Sequence, residues 1–144
     1  MRILKISDVY FPRVNGVSTS IRTFAHGLQE LGHEVTLIAP EYPTPLDDRF
    51  EILRIPSHYL FIDPEDRLMR RHPLRQQLDA LRARRFDVVH IHTPFAAHYQ
   101  GMWLARRLGL PLIETYHTYF EEYLDKYLPW LPRRALRYLA RHFS

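Results

Sequence analysis

At 144 residues the chain is long enough for one domain with a hydrophobic core. It has no cysteine, which excludes disulfides and thiolate metal sites, and no apolar run approaches the length that spans a bilayer. The formal net charge of +4 fits a nucleic acid, an anionic membrane surface or a phosphorylated ligand without choosing among them.

Residues 2–7 are a short apolar run and read as a strand, too brief and too soon polar for a signal peptide. A cytoplasmic location is therefore expected. Residues 18–31 carry Ile21, Phe24, Ala25, Leu28 and Leu31 at helical spacing, with Ser18 as the expected N-cap and Gly32 where helices commonly end. Residues 34–39 form a second strand, stopped by Pro40, and residues 51–55 a third. The polar, proline-containing segment 43–48 reads as a loop, and 56–72 as a long irregular stretch. Residues 73–84 predict a helix with Leu74, Leu78 and Leu81 inward. A strand at 87–92, a helix at 95–108 and a strand at 112–115 follow. Residues 132–143 predict a helix carrying Leu136, Leu139 and Phe143 beside Arg133, Arg134, Arg137 and Arg141. Such a helix suits either packing on its own domain or lying on an anionic membrane. No nucleic-acid-binding motif accompanies these basic residues.

Strands alternating with helices predict an α/β domain over residues 1–144: a Rossmann-like, mainly parallel sheet with helices on both faces. Ligands of such sheets bind beyond the carboxyl ends of the strands. After the first strand, Gly16 and Val17 precede the expected cap, where a missing side chain exposes backbone N–H groups at the positive end of a helix dipole. A phosphate or diphosphate suits that place, and a plain turn glycine is the bland alternative. One glycine does not make a dinucleotide fingerprint, and the Walker pattern is absent.

Two other strand ends bring histidines to the same edge. His90 and His92 share a face of their strand, and His117 follows the last one within Thr115-Tyr116-His117-Thr118. Structural histidines, metal ligands and hydrogen-bond partners for sugar hydroxyls are the three readings of this set. No carboxylate in a tight ligand motif accompanies them, so no metal is expected.

Several segments together carry a resemblance. These are Asp8 to Arg22 with Tyr10-Phe11-Pro12 and Asn15-Gly16-Val17, then Leu31-Gly32-His33-Glu34-Val35, then Phe86 to Phe95, then Thr115-Tyr116-His117-Thr118. In this order they resemble the N-terminal domain of family-4 glycosyltransferases, which are retaining enzymes of the GT-B fold. The last segment, with Tyr119-Phe120-Glu121-Glu122-Tyr123, resembles members that glycosylate diacylglycerol or phosphatidyl lipids. The resemblance implies half of a GT-B fold: the acceptor side is present, and the C-terminal nucleotide-sugar domain, with its paired glutamates, would come from further sequence or a partner chain. It implies that Gly16 and Val17 approach the donor diphosphate, that His117 is the catalytic-site residue beside the transferred sugar, and that Tyr10, Asn15 and His92 line the acceptor side. It implies a nucleotide-sugar donor, a hydroxyl acceptor with a membrane lipid as one candidate, peripheral membrane contact, and no separate cofactor or metal. No covalent role falls to Asp8 or Glu114. The rival reading is a non-catalytic Rossmann-like module that binds a phosphorylated ligand or an anionic membrane surface.

Overall fold

The computed structural model describes residues 1–60 and 63–117. The segment Tyr119-Phe120-Glu121-Glu122-Tyr123 and the helix expected at 132–143 lie outside the described residues.

Five strands form one parallel sheet: β1 (Arg2–Ile6), β2 (Glu34–Pro40), β3 (Glu51–Ile55), β6 (Val88–Ile91) and β7 (Leu112–Glu114), in the order β3-β2-β1-β6-β7. The apolar runs of β1, β2 and β6 follow from burial on both faces. Alternation divides the core in two. Leu4, Ile6, Ile38, Val89 and Ile91 pack with Leu81 of α3 (Leu78–Ala83) and with Ala97 and Leu104 of α4 (Ala96–Leu108). Val35, Leu37 and Ala39 pack on the opposite face with Ile21 and Ala25 of α1 (Gly16–Glu30). The expected two-sided architecture is the one found.

Three expectations are corrected. Residues 56–72 are not irregular: β4 (Ser57–Leu60) and β5 (Asp63–Met69) pair antiparallel as a ribbon, and Met69 joins the core. The helix expected at 73–84 is two, α2 (Arg71–Gln76) and α3. They meet where the Gln77 N–H turns to the carbonyl of Leu74, three residues back. Leu74 and Leu81 are nonetheless buried, and Leu78 packs against the same core. Finally, α1 begins earlier than its apolar spacing indicates. Asn15, extended at φ −152°, is its N-cap, and its side-chain oxygen accepts the Ser18 N–H at 2.8 Å. At the other end of α1, Gly32 adopts φ +84°, so the His33 N–H reaches the carbonyl of Leu28 at 3.0 Å and closes the helix.

Helix α4 lies tight on β1 and β6. A Cβ added at Gly101 would stand 2.5 Å from Cγ1 of Ile91 and 3.1 Å from Cγ2 of Ile6, both core side chains. Gly101→Val is expected to cost about 1–3 kcal/mol by overpacking. Urea unfolding checks this, and undiminished stability would mean that α4 yields readily.

Candidate functional site

The chain runs from β1 out to β2 and β3, then returns to place β6 on the other side of β1. The strand order therefore reverses between β1 and β6, and the crevice above that gap is where open α/β sheets take ligands.

In this gap Lys5 of β1 stands opposite His90 of β6. Lys5 is 1% exposed, yet its ammonium has polar partners: Nζ lies 3.1 Å from His92 Nε2 and 3.4 Å from His90 Nδ1. His92 Nδ1 lies 2.9 Å from His117 Nε2, and His90 Nε2 is 2.7 Å from Thr115 Oγ1. These five polar side chains form one hydrogen-bonded chain from beneath the crevice to its rim.

Burial shifts each of these groups toward its neutral form. It lowers the Lys5 ammonium to about 8. His90 falls to about 4 and His92 to about 2, through burial first and then the repulsion of Lys5. His117 is lowered for the same two reasons. At neutral pH the lysine is charged and the three imidazoles are not. Among the described residues no carboxylate pairs with Lys5, so its charge biases the crevice toward anions.

Beside this chain the ends of β1 and β6 are joined. The Asp8 N–H donates to Thr93 Oγ1 at 2.7 Å, and that hydroxyl donates back to the Asp8 carboxylate at 2.7 Å. The other carboxylate oxygen accepts the Ala97 N–H at 2.9 Å, so Asp8 caps α4 from a different strand. Burial pushes the Asp8 carboxyl up to about 6 against these bonds. Glu114 is occupied by His98, at 2.7 Å.

The start of α1 stands at the same edge of the sheet, because α1 leaves the end of β1 and returns to the edge where β2 begins. Gly16 is exposed, and a Cβ built there would meet nothing within 4 Å. Val17 is half-buried, and Ser18 is fully buried with no hydrogen-bond partner for its hydroxyl among the described residues. The first loop is fixed from below by Asp48, whose carboxylate accepts from Tyr10 (2.8 Å), Arg22 (2.8 Å) and His26 (2.6 Å).

Of the residues singled out in the sequence, His92 and His117 are in contact, and Gly16 and Val17 open the helix at the same sheet edge. Tyr10 does not line a site: it is fully buried in the α1 core cluster, with its hydroxyl bonded to Asp48. Asn15 spends its side-chain oxygen on the helix cap. Sequence reading overlooked Lys5, whose signal was a cation flanked by apolar residues within a strand. It also overlooked the capping role of Asp8.

The chain belongs to glycosyltransferase family 4, whose description matches residues 14–144. It is 34% identical over 146 residues to an alpha-monoglucosyldiacylglycerol synthase of Streptococcus pneumoniae, covering 99% of this chain and 33% of that protein. It is also 34% identical over 143 residues to a GDP-mannose-dependent alpha-mannosyltransferase of Mycobacterium tuberculosis, covering 94% of this chain and 37% of the relative. The chain thus spans about a third of the length of these curated relatives. Among solved structures, a sucrose-phosphate synthase from Thermosynechococcus elongatus superposes with a TM-score of 0.58 over 97% of this chain and 40% of that one. At 12% identity this likeness concerns the fold alone. Among the described residues, no helix is long and apolar enough to cross a membrane.

Proposed function

We propose that this chain is the acceptor-side, N-terminal half of a retaining glycosyltransferase. In this reading it moves a hexose from a nucleotide sugar to a hydroxyl acceptor, and a C-terminal domain supplies most of the donor site. The observation that carries the reading is one of position. Gly16 and Val17 at the start of α1 and the imidazole of His117 belong to the same sheet edge, beside the crevice where the strand order reverses. Transfer leaves negative charge on the departing diphosphate. The α1 N-terminus and the buried Lys5 ammonium supply positive potential there before the reaction begins. His117 meets the transferred sugar, with His92 behind it. The donor is a substrate, and the reading calls for no separate cofactor or metal.

The pneumococcal relative, a monoglucosyldiacylglycerol synthase, makes diacylglycerol the first acceptor to try, with peripheral contact at the membrane face where such a lipid resides. The mannosyltransferase relative makes GDP-mannose a donor to try. The test is a panel of nucleotide sugars and acceptors, diacylglycerol included, offered to the full-length protein. No transfer with any pair would favour the rival module that only binds a phosphorylated ligand.

Gly16→Val tests the donor contact. Open space around Gly16 predicts a change within about 0.5 kcal/mol in stability. The new side chain would stand where the diphosphate approaches, so KM for the nucleotide sugar should rise about tenfold or more, a cost of about 1.4 kcal/mol. An unchanged KM would remove Gly16 from the donor site.

A further inference from the structure

The hydrogen-bonded chain under the crevice runs in one direction only. An ammonium has donors and no acceptor, so each ring nitrogen facing Lys5 must present a lone pair. His90 therefore has Nδ1 bare and its proton on Nε2, where it donates to Thr115 Oγ1. His92 has Nε2 bare and its proton on Nδ1, where it donates to Nε2 of His117. That bond uses the lone pair of His117 Nε2. The remaining proton of a neutral His117 then sits on Nδ1, which bonds no described residue. An imidazolium at His117 would set two N–H groups against each other across the 2.9 Å contact with His92.

We propose that Lys5 is a positioning residue that, through His92, fixes His117 as a neutral imidazole whose free Nδ1–H donates to an oxygen of the ligand. The matching ligand group is an oxygen lone pair, such as that of a sugar hydroxyl. The same arrangement withholds a general base from this position, because the other nitrogen is already committed. The inference about the ligand rests on the function proposed above; the inference about the proton positions does not.

Ring-nitrogen NMR of the chain labelled with 15N-histidine reads each tautomer directly, without any substrate. The expected wild-type pattern is a proton on Nε2 of His90 and on Nδ1 of both His92 and His117. Lys5→Met removes the donor at similar length, and His92 and His117 should then lose the fixed pattern and populate both tautomers. Should Lys5→Met not fold, the wild-type chain titrated above the lysine value of about 8 makes the same comparison, since the neutral amine no longer forces either imidazole. The titratable groups facing that amine are His90, His92 and His117, and all three, lowered from the ordinary histidine value by burial, are already neutral at that pH. A wild-type His117 protonated on Nε2, or tautomers unmoved by Lys5→Met or by the titration, would overturn the proposal. Hexosyl transfer is measured separately. Active enzyme with a different tautomer pattern rejects the role of Lys5 alone, and the expected pattern without transfer rejects the enzyme alone.

Discussion

His117→Ala in the full-length protein is expected to lower kcat for hexosyl transfer by about 100-fold or more, the loss that follows when a group that orients the transferred sugar is removed. The fold should survive, because His117 is only half-buried, follows the last described strand, and has one described hydrogen bond, to His92. Turnover and a thermal melt of the same sample decide it. Wild-type turnover would remove His117 from the catalytic site. Lost turnover with a lowered melting temperature would point to damage rather than chemistry. His117→Asn adds a finer arm: an amide donor at that place should recover part of the rate if donation is what the site requires.

Asp48→Ala is expected to have the largest effect on stability, about 3 kcal/mol or more, because it strands its partners at a largely buried carboxylate position. The Asp48 side chain is 5% exposed and accepts from Tyr10, Arg22, His26 and the N–H of Arg49. Burial works to raise its carboxyl, but these hydrogen bonds prevail and hold it at about 2. The sign of the pH dependence follows. A carboxylate bound more acidic in the fold than in the unfolded chain contributes above its ordinary value of 3.8, and that contribution disappears as pH falls toward 2. Denaturant unfolding between pH 2 and pH 7 should show this acid-sensitive component in the wild type and its loss in Asp48→Ala. The same slope in both proteins would assign the acid sensitivity to other groups. Tyr10→Phe, which removes one donor and leaves the ring, should cost about 1 kcal/mol.

The sheet was legible in the sequence because doubly covered strands are largely apolar along their length, as 35–39 and 88–91 are apart from Thr36 and His90. The β4–β5 ribbon was not, because Asp63, Pro64, Glu65 and Asp66 are residues that strands avoid. The cap of α1 was misplaced by three residues because both Asn15 and Ser18 suit the position, and only backbone angles choose between them. His92 and His117 were found through their positions at strand ends. Lys5 was hidden because its importance lies in register: only the pairing of β1 with β6 sets its ammonium under the imidazoles. Tyr10 misled for the opposite reason. A loop tyrosine looks available to a ligand, and its burial depends on Asp48, 38 residues away.

The reciprocal bonds between Asp8 and Thr93 have a mechanical meaning. With the Ala97 N–H anchored to the same carboxylate, the tips of β1 and β6 and the root of α4 are spliced into a single block. A cleft seated on that block has no seam along which to part. On the function proposed above, closure on a ligand falls to parts outside this block, and the lysine–histidine chain beside it stays in place.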